Sequence, residues 1–259
     1  MRRAVALAAC ALLGGCVAAS GGALGQQEPA SGYLAAATLD ELAATATPPP
    51  LEDPAQARFD AVLPGSDRWW LAIVHAELRP PEAAQHFDCA LNTRLAAAPR
   101  PALTRLMNRL LIDVSSLSER VARQGHRPRP IAAVPGLEPC QRTTEAIRAG
   151  SSWPATGALA GAAYGELFAA LAPDRATQAR ATGREIGISR AVCQMNWGAD
   201  VAAGGTLGRA VYVRASAAPD FAVDLAAARV EVAAARAEGL TNAGCAAERR
   251  ALGIRPGAD

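Results

Sequence analysis

Lysine is absent from this sequence of 259 residues, so all 26 basic residues are arginine. They stand against 24 acidic residues, which leaves a formal net charge of only +2. The charges are spread along the chain without a basic stripe, and this argues against a nucleic acid as a partner. Aromatic residues are also scarce, at 4% of the chain, whereas 51% of the residues are hydrophobic, many of them alanine. This alanine-rich composition favours helices over a thick β core.

Patterns typical of metal sites are equally scarce. The chain has three histidines (His75, His86 and His126), and no Cys-x-x-Cys pair occurs. Structural zinc sites usually combine such pairs of cysteine and histidine ligands. We therefore expect neither a metal nor another cofactor.

The sequence also lacks an apolar run long enough to span a bilayer as a mature helix, but its amino terminus has a short one. Two arginines precede the run from Ala4 to Leu13, which predicts a signal peptide over residues 1–15. The following Leu-Gly-Gly-Cys resembles a bacterial lipobox, in which Cys16 becomes the lipidated first residue. An ordinary signal-peptidase site near Ala23-Leu24-Gly25 is the alternative. Both predict export to the periplasm, and the first adds a lipid anchor in the envelope membrane.

The rest of the chain divides into a linker and one domain. Residues 16–50 are rich in Ala, Gly, Thr and Pro, which predicts a flexible linker with little packing of its own. A folded domain is expected over residues 51–253, with a short tail over residues 254–259.

Four cysteines fall inside that domain: Cys89, Cys140, Cys193 and Cys245. In an oxidising compartment they suggest two disulfides, for which three pairings are possible. The pairing we prefer from the sequence is Cys89–Cys140 with Cys193–Cys245.

Hydrophobic periodicity predicts an all-α domain. Apolar residues recur at steps of three and four from Leu103 to Val121, as on one face of a long amphipathic helix. Further helices are predicted over residues 156–172, 175–192, 197–214 and 219–238. Alternating apolar and polar residues, the mark of a half-buried strand, are nearly absent. We expect a single-domain helical bundle.

Three short motifs in the second half of the chain contain residue types suited to an anion. In order, they are Arg129-Pro130, then Pro154-Ala155-Thr156-Gly157, then Ser189-Arg190 with Asn196 and Asp200. Arginine binds phosphate well because its planar guanidinium donates parallel hydrogen bonds and keeps its charge. The middle motif opens a predicted helix, whose free backbone N–H groups attract anions.

In order and spacing these motifs resemble those of the bacterial class A non-specific acid phosphatases. That family shares a superfamily with phosphatidic-acid phosphatases of type 2 and with vanadium haloperoxidases. Its motifs are Lys-x6-Arg-Pro, Pro-Ser-Gly-His and Ser-Arg-x5-His-x3-Asp. The resemblance extends from about Tyr33 to Ala251 and implies the helical fold of that superfamily. It also implies that Arg129, Arg190 and the helix start at Ala155 and Thr156 bind a phosphate group.

Both motif histidines are replaced, so the chain is identified as a divergent member of that family. Gly157 stands at the position of the general acid and Asn196 at that of the nucleophile, while Asp200 is retained. Glycine donates no proton, and an amide nitrogen is no comparable nucleophile. With its imidazole partner gone, Asp200 is expected to pair with Asn196, four residues before it on the same helical face.

Other residues near the motifs are candidates for the missing groups. The family lysine falls on Ala122, and Arg123, one position later, is a candidate for its charge. His126 is a candidate for the missing nucleophile, with a polar residue at a helix end as the alternative. Arg127 either extends the positive rim of the site or faces solvent.

Two functions remain open from the sequence. The resemblance implies a metal-independent hydrolase of phosphomonoesters, and the lost histidines imply that it is weak or inactive. The alternative is a non-catalytic protein that binds phosphate or another anion, or a purely structural envelope lipoprotein. The oligomeric state is left open by the sequence.

Overall fold

The fold is described by a computed structural model that covers residues 31–54, 56–57 and 62–254. The predicted signal peptide, Cys16 and the first half of the predicted linker lie outside these residues. Within them the chain is helical, and a single antiparallel bridge between Pro128 and Ser151 is the one β pairing. The all-α fold predicted from the sequence is confirmed.

Eleven α-helices lie in the described part of the chain. They are α1 Ala36–Thr45, α2 Asp67–Val74, α3 Asp88–Leu91, α4 Pro101–Ala122, α5 Pro130–Ala133, α6 Glu145–Ala149, α7 Thr156–Leu171, α8 Ala176–Val192, α9 Gly198–Ser216, α10 Pro219–Ala237 and α11 Cys245–Ala251. Short 3₁₀ helices cover Glu82–Phe87, Leu95–Ala97 and Pro173–Arg175.

The long helix α4 begins at a proline, which suits the first turn because that position needs no N–H donor. Its apolar stripe is buried: Leu103, Leu106, Met107, Leu110, Val114, Leu117 and Val121. This is the stripe that the sequence predicts. It packs against α1, α7 and α10 and forms one side of the main core.

Helices α7, α8 and α9 form the other side and approach one another closely. Helix α7 is buried nearly all round and consists mostly of Ala, Gly and Leu. A Cβ atom added at Gly161 of α7 would lie 2.5 Å from the carbonyl oxygen of Gly183 in α8. The small residues therefore allow backbone contact between the helices. This contact sets the position of the first turn of α7 relative to the last turn of α8. The middle motif lies at the start of α7, and Ser189-Arg190 lies in the last turn of α8.

The predicted flexible linker is wrong for its second half. Helix α1 lies inside residues 16–50 and buries Leu39, Leu42 and Ala43 against the main core. Before it, the carboxylate of Asp113 accepts the backbone N–H groups of Tyr33 (2.9 Å) and Leu34 (3.1 Å). The folded domain therefore begins well before residue 51. Two leucines and one alanine at helical spacing were too weak a signal to outweigh the composition.

The disulfide pairing preferred from the sequence is also wrong. The bonds are Cys89–Cys245, with Cα atoms 5.4 Å apart, and Cys140–Cys193, with Cα atoms 4.8 Å apart. The first joins α3 to α11, and the second joins the loop before α6 to the end of α8. Helix packing decides which cysteines meet, and sequence spacing does not reveal it.

None of the helices in the described residues is both long and apolar enough to cross a lipid bilayer.

Candidate functional site

A cavity of about 220 Å³ lies where α7 begins and α8 ends. Its lining residues come from five segments of the chain: Ala76, Leu78, Arg129, Gln141, Pro154, Thr156, Gly157, Arg190 and Asn196. Five of these are residues that the sequence selects, drawn from all three motifs. The fold thus brings together residues that are up to 67 positions apart (129 to 196) in the sequence.

Arg190 occupies the last turn of α8 and has no carboxylate partner among the described residues. Burial and, to a smaller extent, the positive charge of Arg129 together lower the pKa of its guanidinium to about 10. Two cations that disfavour each other therefore share one small cavity. An anion between them would relieve both the repulsion and the lost hydration.

Arg129 is held from several sides. It precedes Pro130, the first residue of α5, and its Nη1 donates to the carbonyl oxygen of Met195 at 2.6 Å. Its Nε is buried and has no hydrogen-bond partner among the described residues. Burial also lowers the pKa of this guanidinium. A buried donor without an acceptor is costly.

The third source of positive potential is the amino terminus of α7. Ala155 is the N-cap residue, is fully buried and offers no side-chain cap. The N–H groups of Thr156 and Gly157 belong to the first turn and have no acceptor within the helix. The Thr156 hydroxyl lies 2.5 Å from that of Ser118 in α4. The Thr156 side chain therefore pairs with α4 and does not cap α7.

No side chain fits at position 157 while Arg190 keeps its place. A Cβ atom added at Gly157 would lie 2.7 Å from Cδ and 2.9 Å from Cγ of Arg190. Atoms that close overlap, so a larger residue requires the arginine to move. Gly157 and the conformation of Arg190 thus depend on each other.

The expected pair of Asn196 and Asp200 does not form. Asn196 Nδ2 donates to the carbonyl oxygen of Ser152 at 2.6 Å, and the Ser152 hydroxyl donates to Asp200 Oδ2 at 2.7 Å. The other oxygen of Asp200 accepts from Arg127 Nη1 at 2.6 Å. Ser152 therefore stands between the two residues that the sequence pairs directly.

Arg127 neither extends the positive rim of the site nor faces solvent, the two alternatives suggested by the sequence. It is buried and paired with Asp200. It also donates to the carbonyl oxygen of Pro49, which fixes the segment after α1 against the site. Burial raises the pKa of the Asp200 carboxyl, against the hydrogen bond from Ser152 and the charge of Arg127. Asp200 does not line the cavity and acts on it only through Ser152.

The other candidates lie outside the cavity. Arg123 is exposed at the end of α4, and Ala122, at the family's lysine position, is exposed beside it. His126 is exposed, and its Nε2 lies 2.9 Å from the carbonyl oxygen of Ala149. In the described residues no histidine lines the cavity.

A buried histidine lies just behind the cavity wall. His75 precedes Ala76, and its Nδ1 lies 2.9 Å from the hydroxyl oxygen of Ser189. The Ser189 hydroxyl donates to the carbonyl oxygen of Glu185 and accepts from Arg68 Nη1, so His75 Nδ1 must be the donor here. Burial lowers the pKa of His75 to about 3, helped by the charges of His86 and Arg68. His75 is buried and does not line the cavity, so its ring supplies no nucleophile there.

Two contributors were missed from the sequence. Gln141 lines the cavity because the Cys140–Cys193 disulfide joins its loop to the end of α8. Ser152 is fully buried and orients both Asn196 and Asp200. The disulfide partner of Cys140 could have pointed to Gln141, whereas no signal in the sequence singles out Ser152.

Larger clefts exist elsewhere, but the arginines that border them are exposed or already paired with a carboxylate. One of about 910 Å³ is bordered by Arg105 and Arg109, both already paired with Asp224. Arg184 and Arg209, beside a cleft of about 550 Å³, are both exposed to solvent. Within the described residues, no group of three or more His, Cys, Asp or Glu side chains is placed to hold a metal ion. The small cavity is therefore the better candidate for an anion site.

Comparison with known proteins gives similar sequences of one kind. An acid phosphatase of Zymomonas mobilis is 29% identical over 217 residues, which span 82% of this chain and 81% of the relative. Non-specific acid phosphatases of Salmonella typhimurium and Providencia stuartii are 25% and 24% identical, and span 71% and 75% of this chain and 77% and 82% of their own lengths. No protein-family model matches the chain. These similarities support the acid phosphatase family.

Proposed function

We propose that this protein binds the phosphate group of inorganic phosphate or of a phosphomonoester in the cavity between α7 and α8. One observation carries the proposal: Arg129 and Arg190 share this cavity with no carboxylate partner. Basic side chains that serve only the fold usually find an acidic neighbour, as Arg127 finds Asp200. The N–H groups at the start of α7 add donors on a third side.

The electrostatics favour an anion over a neutral ligand. Two guanidinium groups and a helix amino terminus surround the space, and no acidic side chain borders it. Ala76, Leu78 and Pro154 supply apolar surface beside the charged groups. This arrangement suits a phosphate group that carries a small organic substituent.

By similarity to the acid phosphatases the reaction is hydrolysis of phosphoric monoesters, and we infer that it is weak or absent. Gly157 donates no proton, and general acid catalysis usually contributes ~10²–10⁴-fold to the rate. Asn196 has no nucleophilic lone pair and is fixed to Ser152 by its amide. The described part of the chain places no histidine in the cavity that could replace it.

The first experiment measures binding of inorganic phosphate by calorimetry to the purified protein and to two variants. Arg190→Met removes one charge from the cavity. Arg184→Met is the matched control, because Arg184 lies exposed on the same helix and does not line this cavity. We expect Arg190→Met to weaken binding by ~30-fold or more, the scale for truncating one member of a buried charge pair. Equal affinity in Arg190→Met and wild type would contradict the proposal.

The same proteins are then assayed with an aryl phosphate from pH 4 to pH 8. We expect no turnover above that of Arg190→Met, whose signal reports contaminating phosphatase. Turnover that disappears with Arg190 would instead favour an active phosphatase with water as the nucleophile. Restoring both histidines is a demanding test, because His at position 157 must displace Arg190.

For the cellular location we propose export to the periplasm and a lipid anchor at Cys16. The two disulfides support an oxidising compartment, and the lipobox pattern supports the anchor. In a bacterial host, Cys16→Ser should move the protein from the membrane fraction to the soluble fraction. Retention of that variant in membranes would contradict lipidation at this residue.

A further inference from the structure

The cavity contains an oriented hydrogen-bond acceptor besides its donors. Asn196 Nδ2 donates to the Ser152 carbonyl oxygen, 2.6 Å away. A carbonyl oxygen only accepts, so the NH₂ end of the amide must face it, and Oδ1 must face elsewhere. Asn196 lines the cavity, and no group among the described residues donates to this oxygen.

The orientation of Asn196 is fixed by the residues behind it. The Ser152 hydroxyl donates to Asp200 Oδ2 at 2.7 Å and accepts the backbone N–H of Trp197 at 3.1 Å. Rotating the Asn196 amide by half a turn would place its oxygen against the Ser152 carbonyl. Two buried acceptors in contact are costly, so the amide keeps one orientation.

The remaining polar groups of the cavity differ from Asn196. Arg129 and Arg190 are donors only, and the N–H groups of Thr156 and Gly157 are donors too. The Thr156 hydroxyl is already paired with that of Ser118. Gln141 has both kinds of group, but its side chain has no hydrogen bond with any described residue, so it can rotate to suit the ligand. Asn196 Oδ1 is therefore the acceptor that a ligand must satisfy.

We infer that this pocket selects a tetrahedral oxyanion that carries a proton, through a hydrogen bond from its P–OH group to Asn196 Oδ1. The ligand class is hydrogen phosphate or the monoanion of a phosphomonoester. This inference rests on the proposed function and adds the protonation state of the ligand. A fully deprotonated oxyanion of the same shape and charge would bring an oxygen lone pair against Oδ1.

Sulfate and inorganic phosphate form a matched pair of probes. At about pH 8 both are mainly dianions of similar size, but phosphate retains one proton and sulfate has none. Calorimetric titration of the wild-type protein should give tighter binding of phosphate by about tenfold or more, the scale of leaving a buried acceptor unsatisfied. In Asn196→Leu, which keeps the branched shape but lacks the acceptor, the two affinities should become nearly equal.

A second measurement needs no variant, in case Asn196→Leu does not fold. Methyl phosphate loses its last proton near pH 6, so its affinity for the wild-type protein should fall as the pH rises from 5 to 8. The charged groups around Asn196 are Arg129 and Arg190 in the cavity, and Arg127 and Asp200 behind Ser152. Sulfate does not titrate in this range, so its pH profile reports any titration of these groups and is subtracted.

The outcomes distinguish an error about the phosphate site from an error about the role of Asn196. If neither phosphate nor sulfate binds, the proposed phosphate site itself is wrong. If both bind equally to wild type, or if Asn196→Leu retains the preference for phosphate, the site stands and the role of Asn196 is overturned. An affinity for methyl phosphate that follows the sulfate profile would overturn it as well.

Discussion

The buried ion pair behind the cavity gives a prediction whose size follows from the structure. Arg127 and Asp200 are in contact at 2.6 Å, and their side chains are only 10% and 0% exposed. Removing one member leaves a charge in a dry environment, which costs ~3–5 kcal/mol. We therefore expect Arg127→Met and Asp200→Leu each to lower the free energy of unfolding by about that amount.

The double variant should cost much less than the sum of the single variants. It leaves no unpaired charge, and its losses are the hydrogen bonds that reached Pro49 and Ser152, worth ~1 kcal/mol each. The coupling energy between Arg127 and Asp200 should accordingly be at least ~3 kcal/mol in a double-mutant cycle. Denaturation with urea, with both disulfides intact, measures all four corners of the cycle.

The comparison cycle uses Asn196 and Asp200, the pair expected from the sequence motif. These residues do not hydrogen-bond each other and meet only through Ser152, so their coupling should stay below ~1 kcal/mol. A larger coupling for Asn196 with Asp200 than for Arg127 with Asp200 would refute the network described above. It would instead support the direct contact between Asn196 and Asp200 that the sequence predicts.

Two further predictions concern the walls of the cavity. Gly157→Ala should weaken phosphate binding, because the added methyl group overlaps Arg190 with a strain of ~1–3 kcal/mol. The control is Gly205→Ala, where a Cβ meets nothing closer than 3.8 Å. Equal calorimetric affinities of the two variants for phosphate would contradict the overlap. Replacing the Cys140–Cys193 pair by serines should weaken phosphate binding and cost ~4 kcal/mol of stability. Replacing Cys89–Cys245 should cost ~5 kcal/mol but leave binding unchanged, and loss of binding in both variants would show that only general stability matters.

The sequence predicts the helices well because their signals are local. The apolar stripe from Leu103 to Val121, the proline at residue 101 and the glycine after α10 depend only on neighbouring residues. The predicted helices at 156–172, 175–192 and 219–238 each differ from α7, α8 and α10 by one residue at one end. Helical propensity and capping act over a few residues, so one sequence suffices to read them.

Contacts between distant segments could not be read in this way. Which cysteines pair depends on how α3, α8 and α11 pack. Likewise, the motif places Asn196 and Asp200 on one helical face, yet α9 begins only at Gly198, so Asn196 lies in the preceding loop. Its side chain is therefore free to reach Ser152, 44 residues earlier in the chain. The helical spacing was sound, but it was applied to a residue outside the helix.

Arg129 and Arg190, which lack a carboxylate partner, lower the stability of the folded state, and a bound anion would offset this loss. Burial and mutual repulsion lower the pKa of Arg190 to about 10, below its usual range, so at neutral pH the folded state disfavours the charge that this side chain carries. For a base with a lowered pKa, this penalty is present below about pH 10 and disappears only above it. Arg190→Met should thus raise the melting temperature in anion-free buffer, because it removes a buried charge that serves function at the expense of stability. Phosphate should raise the melting temperature of wild type by mass action and leave that of the variant unchanged. A variant that melts below wild type in anion-free buffer would mean that Arg190 serves the fold, and the charge of this cavity would then need another explanation.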